Sequence, residues 1–278
     1  MPYGEKAGVT TFWKSLGRGA RPALALHCSL SSSASFASLA DVLVDDFTIT
    51  AFDLPGHGRS ADWDGQGEIQ RLTMEIAKEF LSEQGSAHVI GHSFGATVAL
   101  RLAVAWPALV RSLVLVEPVF FAVARTDHPA LHRAHLERMS VCTRAIEAGD
   151  NPAAARAFLG EWGDGTPWSG LPREQRAAFA KRMPLVAAAE GALNDDPAGL
   201  LSPGALSTLD LPVLLMEGSL SPAIVGVIQE GLATRLPRAE RTVIMDAGHM
   251  APVTHPVQVG DEIRRFVTRS CGLARGAP

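Results

Sequence analysis

The serine at position 93 lies in a stretch whose residue types suit nucleophilic chemistry. Gly91-His92-Ser93-Phe94-Gly95 follows a short apolar segment at 87–90 and leads directly into a helical pattern over 93–106. Flanking glycines let the backbone pass closely without Cβ clashes, and the helix amino terminus favours developing negative charge. An ordinary turn with an N-cap serine would share this pattern, but the strand before it and the helix after it favour an activated serine.

Three other stretches rich in turn residues follow predicted strands. They are His27-Cys28-Ser29-Leu30-Ser31-Ser32-Ser33, Asp53-Leu54-Pro55-Gly56-His57-Gly58-Arg59-Ser60 and Asp246-Ala247-Gly248-His249-Met250-Ala251-Pro252. Together with the serine turn they form an ordered series of short motifs along the chain.

This series resembles the α/β-hydrolase fold superfamily, in its branch with a serine nucleophile and a helical cap. The resemblance implies that Ser93 is the nucleophile and that His249 is the general base that takes its proton. It also implies an oxyanion hole made by the backbone N–H groups of Ser29 and Phe94. A serine in the turn disfavours the dehalogenase and epoxide-hydrolase branches, which use aspartate at that place.

Two of the motifs need separate interpretation. Cys28 stands where the family usually has a glycine, and we interpret it as a small buried residue rather than a reactive thiol, because no second base lies near it in sequence. Asp53 and His57 belong to a turn that resembles the family's D-x-P-G-H-G-x-S sequence, and we interpret both as architectural rather than catalytic.

The acid that would orient His249 is not at the family's usual position. That position follows the strand at 213–216 in a G-x-x-D-P pattern, but this chain has Gly218-Ser219-Leu220-Ser221-Pro222, which reads as a helix start with Ser221 as N-cap. Glu117, which ends the strand after the serine strand, is the preferred acid. Glu217, Asp246 and a serine–histidine dyad without an acid are the alternatives.

Strands and helices alternate along most of the chain, which predicts an α/β fold with a mostly parallel central sheet and helices on both faces. Strands are predicted at 9–13, 23–27, 47–52, 87–90, 113–116, 213–216 and 242–245, and helices at 36–43, 69–80, 93–106, 223–236 and 257–267. Residues 120–206 show helical patterns only. We therefore predict a core domain at 1–119 and 207–278 with a helical cap inserted at 120–206.

The cap contributes candidate pocket residues. Four aromatic side chains are predicted either to line a substrate pocket or to form the cap's own core, namely Phe120, Phe121, Trp162 and Trp168. His128, His132 and His135 share one helix face by spacing. They complete no recognised metal pattern, so a solvated face is favoured and no metal site is predicted.

Composition narrows the function classes. The 278 residues are 47% hydrophobic with a net charge of −4, and no basic run predicts a nucleic-acid partner. Cys28, Cys142 and Cys271 are too sparse for a disulfide framework, and there is no apolar leader or membrane-length apolar segment. These features favour a cytoplasmic protein. The serine-hydrolase chemistry that the resemblance implies needs no cofactor.

The resemblance implies cleavage of a small or medium-sized carboxylic ester through an acyl-enzyme intermediate. Amide, lactone or carbon–carbon bond hydrolysis would use the same machinery. A binding protein that keeps the pocket without turnover is an alternative of another class, and the missing Asp at position 221 is its main support. The sequence indicates no oligomeric state.

Overall fold

The computed structural model describes the backbone of residues 2–273 and the side chains of residues 2–270. The side chain of Cys271 and residues 274–278, which belong to the predicted core segment, lie outside that description. The strands are β1 (Tyr3–Lys6), β2 (Val9–Gly17), β3 (Arg21–Leu26), β4 (Phe47–Phe52), β5 (Ala87–His92), β6 (Val110–Val116), β7 (Val213–Gly218) and β8 (Ala239–Ile244). The helices are α1 (Ala37–Val42), α2 (Ile69–Gln84), α3 (Phe94–Ala105), α4 (Phe121–Asp127), α5 (Pro129–Glu147), α6 (Asn151–Trp162), α7 (Arg173–Asn194), α8 (Ala223–Arg235), α9 (Ala251–Thr254) and α10 (Pro256–Leu273).

One eight-stranded sheet organises the chain, in the order β1-β2-β4-β3-β5-β6-β7-β8. The pairs from β4 to β8 are parallel, and β2 joins β4 antiparallel at one edge. The predicted fold class is therefore confirmed. β1 was not predicted, because four residues that include Glu5 and Lys6 are too short and too polar to stand out by periodicity.

Side chains of the parallel strands alternate between two buried layers. Leu113 and Leu115 of β6 pack into the cluster that contains residues of α2, α3 and α8. Val114 and Val116 pack into the opposite cluster, with residues of α1 and α10. Since the strands are covered on both faces, they read as continuous apolar runs in the sequence.

The segment between β6 and β7 contains helices α4 to α7. Its two ends, α4 and the stretch around 200–211, contribute side chains to the same cluster as α2 and α3. The helices α5, α6 and α7 share a smaller cluster, which also takes in Leu30 from the loop after β3. Trp162 of α6 and Leu193 of α7 pack into the larger cluster as well. The predicted domain limits stay a prediction, but these contacts place α5–α7 over the loop that follows β3.

None of the described helices combines the length and apolar character needed to cross a membrane.

The start of α3 lies against the end of β3 so closely that only glycine fits at position 95. A Cβ atom there would lie 2.2 Å from the carbonyl oxygen of Leu26 and 2.6 Å from that of His27. Both neighbours are backbone atoms of a central strand and its loop, which cannot move without disturbing the sheet. Gly95 therefore sets the approach of α3, and with it the place of Ser93.

We expect Gly95→Ala to lower the free energy of unfolding by about 3 kcal/mol, because a methyl group must overlap backbone atoms. Gly160→Ala is the matched control. Gly160 is exposed in α6 with open space around its Cα, so alanine should raise stability by about 0.5–1 kcal/mol through helix propensity. Urea denaturation measures both, and equal midpoints for Gly95→Ala and the unmodified chain would contradict the packing argument.

Candidate active site

Ser93, His249 and Glu117 come from three distant points of the chain and meet at the carboxyl edge of the sheet. Ser93 Oγ lies 2.9 Å from His249 Nε2, and His249 Nδ1 lies 2.6 Å from Glu117 Oε2. All three side chains are buried. In this arrangement the serine hydroxyl donates to the imidazole, and the Nδ1–H of the imidazole donates to the carboxylate.

Ser93 is held in a backbone conformation that is rare for a non-glycine residue. Its φ is 55° and its ψ is −118°, and α3 begins at the next residue. The Ser93 N–H donates to the Val116 carbonyl on the neighbouring strand at 2.9 Å. That bond and the packing of α3 offset a local strain of about 1–3 kcal/mol. The hydroxyl is thereby raised above the end of β5, toward His249.

Glu117 follows β6 directly and is fully buried. It also has a positive φ, of 49°, and its N–H donates to the Met216 carbonyl of β7 at 2.8 Å. One carboxylate oxygen accepts from the Gly218 N–H at 2.7 Å and from the Ser221 hydroxyl, while the other accepts from His249. Burial by itself raises the pKa of Glu117, but the hydrogen bonds from His249, Ser221 and Gly218 outweigh it and lower that pKa below its ordinary value. The carboxylate is therefore charged at neutral pH.

The two alternative acids lie away from the imidazole. Glu217 Oε1 accepts from Arg241 of β8 at 2.9 Å. Since successive strand residues point to opposite faces, the Glu217 side chain lies on the face of β7 opposite to Met216 and Gly218. Asp246 lies at an exposed turn with φ of 61°, and its backbone N–H donates to the Ser219 hydroxyl oxygen. Neither carboxylate has a hydrogen bond to His249.

The interpretation of Ser221 as a helix cap was wrong. Pro222 occupies the N-cap position of α8, without a side-chain capping bond, and the Ser221 hydroxyl donates to Glu117 instead. Sequence reasoning therefore missed Ser221 as a residue of the site. The signal was available, since the sequence has a hydroxyl at the position where the resemblance implies an acid.

The backbone N–H groups of Ser29 and Phe94 are both free to bind an anion. Neither donates to an acceptor among residues 2–270, and Ser29 lines the same cavities as Ser93. The next N–H in the loop, that of Leu30, is engaged with His57 Nε2 at 3.2 Å. No hydrogen bond within the described residues therefore occupies either N–H, and the oxyanion hole stays a prediction.

A buried network holds the loop that carries Ser29. His27 Nδ1–H donates to the Cys28 carbonyl at 2.7 Å, and its Nε2 accepts from the Leu54 N–H at 3.0 Å. Asp53 accepts from the Ser33 N–H at 2.6 Å and from the Arg59 N–H at 2.8 Å. Cys28 is buried in the same loop, and burial raises the pKa of its thiol to about 12. These contacts are structural in kind: they tie the loop to the turn at 53–60.

His92, the residue before the serine, also fixes the site. Its Nε2–H donates to the backbone carbonyl of His249 at 2.9 Å. Burial is the main cause that lowers the pKa of His92 to about 3, so the ring is neutral and keeps a single ring proton. The sequence analysis assigned no role to this residue.

Two cavities meet at Ser93. The larger, called here the wider cavity, has a volume of about 370 Å³, and the smaller, called the narrower cavity, has about 230 Å³. Both are lined by Ser29, Ser93, Phe158 and Trp162. The Trp162 ring packs edge-on against His249 with centroids 4.6 Å apart. Two aromatic side chains of α6 therefore separate the space over the serine into two chambers.

The four aromatic pocket candidates divide accordingly. Trp162 lines both cavities and Phe121 lines the narrower one. Phe120 and Trp168 line neither of these cavities. Trp168 follows the alternative of a residue in the cap's own core, whereas Phe120 fits neither alternative and corrects the expectation. Phe120 is buried in the cluster shared with α2 and α3, and Trp168 packs on the separate cluster of α5–α7.

The three cap histidines do not converge. His128 is exposed before α5, His132 bonds the Asn194 side chain at 2.8 Å, and His135 packs on Phe121 with ring centroids 4.6 Å apart. Within the part of the chain that the structure describes, no group of three or more His, Cys, Asp or Glu side chains has the arrangement of a metal site.

Most of the chain is similar in sequence to known proteins. Residues 23–262 match the sequence model of the Alpha/beta hydrolase family. A pimeloyl-[acyl-carrier protein] methyl ester esterase of Aeromonas hydrophila is 28% identical over 87% of this chain and 93% of its own.

Two further similarities are more limited. The dihydrolipoyllysine-residue acetyltransferase component of an acetoin cleaving system from Cupriavidus necator is 35% identical, but over only 44% of this chain and 33% of that protein. The crystal structure of the esterase RhEst1 from Rhodococcus sp. superposes with a TM-score of 0.72 at 22% identity, over 97% of this chain and all of that one. At that identity the superposition shows a shared fold.

The buried histidines make the folded chain sensitive to acid. Burial is the main cause that lowers the pKa of His27, His57 and His92 from 6.5 to about 3. The unfolded chain therefore binds more protons as the pH falls below about 6.5, so stability that is present above that pH is lost progressively toward pH 3. We expect each of these three rings to lower the free energy of unfolding by at most about 1.4 kcal/mol per pH unit between pH 6 and 4, as measured by urea denaturation.

His57→Asn should reduce the slope of the free energy of unfolding against pH by at most about 1.4 kcal/mol per pH unit, because one buried ring is removed. His128→Asn, at an exposed position, is the matched control and should keep the original slope. An unchanged slope in His57→Asn would refute the assignment of acid sensitivity to the buried rings.

Proposed function

Because the chain belongs to the α/β-hydrolase family, we propose that it is a serine hydrolase that cleaves carboxylic esters of small or medium size. The observation that carries the proposal is the continuous hydrogen-bonded path from Ser93 through His249 to Glu117, which opens onto two cavities. The similarity to a methyl ester esterase over most of the chain supports the choice of an ester.

In the proposed mechanism, Ser93 Oγ attacks the ester carbonyl while its proton passes to His249 Nε2. Glu117 accepts the Nδ1–H bond, which fixes the tautomer and stabilises the imidazolium that forms. The carbonyl oxygen becomes an oxyanion, and the N–H groups of Ser29 and Phe94 donate to it.

Collapse of this intermediate breaks the bond to the alcohol oxygen, which takes the proton from His249. The acyl group stays on Ser93 Oγ. A water molecule then gives its proton to His249 Nε2 and attacks the acyl carbon, and the returning proton restores the serine hydroxyl as the acid is released. No cofactor takes part in this proposed cycle, because each proton moves between the ester, water and His249.

The helices α5–α7 are the proposed cap. Their packing on Leu30 and the contact of Trp162 with His249 support that role. The hydrogen bond between Glu117 and His249 also weakens the argument for a binding protein without turnover. That argument depended on the missing Asp at position 221, and Glu117 supplies a carboxylate instead.

Ser93→Ala should lower kcat by about a millionfold, because the nucleophile is removed and only binding and the oxyanion donors remain. Hydrolysis of 4-nitrophenyl butyrate measures the loss. A fluorophosphonate probe should label the unmodified chain and Ser202→Ala, in which an exposed serine is removed, but not Ser93→Ala. Absence of labelling in all three proteins would argue against an activated serine.

Glu117→Gln should lower kcat by about a thousandfold to ten-thousandfold, as expected when the group that orients the histidine loses its charge. Glu217→Gln is the control, because that carboxylate bonds Arg241 and not His249, and it should keep the full rate. The opposite ranking of the two variants would show that the acid has been misassigned.

A further inference from the structure

The two cavities over Ser93 differ in charge. Among the residues that line the wider cavity, Arg182 is the one permanently charged cation. The narrower cavity has no lysine or arginine in its lining, but two carboxylates, Glu147 and Glu190. The wider cavity therefore offers an anionic group a cation to bind, whereas the lining of the narrower cavity contains no lysine or arginine.

The Arg182 guanidinium has no hydrogen-bonded partner among residues 2–270, and no ion pair within that range. The residue lies on α7 and is half-buried against the turn at 53–60. Burial lowers the pKa of Arg182, and Asp53 and Asp62 only partly offset this effect. A guanidinium presents up to five donors, and those of Arg182 remain available to an oxyanion that enters the cavity.

The nearby carboxylates are already engaged. Both oxygens of Asp53 accept backbone N–H groups, from Ser33 and Arg59. Asp62 pairs with Lys181 at 3.2 Å. Asp164 also lines the wider cavity, but it is exposed at the surface and accepts from the Thr166 N–H at 2.9 Å. None of these three carboxylates hydrogen-bonds the Arg182 guanidinium, whose donors therefore stay available to a group that enters the cavity.

We propose that the wider cavity binds a carboxylate or phosphate group of the substrate, and that Arg182 is the residue that selects it. This inference rests on the proposed function, because the anionic group belongs to an ester whose carbonyl lies at Ser93. The substrate is then a bifunctional ester: its scissile carbonyl is neutral, and an anion stands at the far end of its acyl or its alcohol part. Guanidinium groups bind such oxyanions through two parallel hydrogen bonds.

Two matched pairs of esters test the proposal and locate the anion. In the acyl pair, 4-nitrophenyl hydrogen adipate carries a carboxylate and 4-nitrophenyl adipamate carries an amide of nearly the same shape. In the alcohol pair, the butyrate ester of 4-hydroxyphenylacetate is compared with that of 4-hydroxyphenylacetamide. We expect kcat/KM to favour the carboxylate by about tenfold to a hundredfold in one pair, and that pair identifies the end that enters the wider cavity.

Arg182→Gln should reduce this preference to near one, whereas Arg182→Lys, which keeps the charge, should retain part of it. Lys181→Gln is the matched control. It removes one positive charge at the adjacent position, but the Lys181 side chain is 72% exposed, pairs with Asp62 and does not line the cavity. Its carboxylate preference should equal that of the unmodified chain.

Binding separates this inference from the proposed function. Calorimetric titration of Ser93→Ala with each ester measures the carboxylate preference without turnover, and Ser93→Ala/Arg182→Gln should lose it. A retained binding preference without hydrolysis of any ester by the Ser93 enzyme would support the anion site and overturn the proposed function. Hydrolysis with equal rates for carboxylate and amide in both pairs, or a preference that survives Arg182→Gln, would overturn the anion site alone.

Discussion

The buried contact between Glu117 and His249 is the constraint on which the other features of the site depend. A carboxylate without solvent exposure is stable only if each of its oxygens is hydrogen-bonded. Here Gly218 and Ser221 satisfy one oxygen and His249 the other. The turn after β7, the end of β6 and the histidine loop must therefore hold one geometry together, and a shift in any of them would leave a charge unpaired.

The chain accepts local strain to build this geometry. Leu30, Ser93 and Glu117 all have positive φ values near 50–60°, and each lies directly after a strand or in the loop that follows one. The backbone N–H of each donates to a neighbouring element: that of Leu30 to the His57 imidazole, that of Ser93 to the Val116 carbonyl and that of Glu117 to the Met216 carbonyl. Strain of this kind persists where the surrounding structure over-determines it, and the parallel sheet supplies that surrounding structure.

Sequence reasoning predicted the sheet because its strands are buried on both faces and separated by helical patterns. The resemblance to the α/β-hydrolases also implied Ser93, His249 and Glu117, and the structure brings these three side chains into contact. Sequence reasoning failed where tertiary contacts decide. The destination of the Ser221 hydroxyl depends on a strand 104 positions away, and no local pattern tells whether Phe120 faces a cavity or the core. The sequence also does not single out Arg182, because its distinguishing feature is that no residue among 2–270 hydrogen-bonds or pairs with its guanidinium.

The contact between Ser221 and Glu117 also bears on how such a site can change over generations. The two positions are distant in the chain but adjacent in space, and the family resemblance implies that a carboxylate at position 221 would reach the same imidazole. Carboxylates at both places would repel each other and share a proton. A single carboxylate, at position 117 or at position 221, is therefore favoured over two. The position without the carboxylate is best occupied by a small neutral hydrogen-bond donor such as serine.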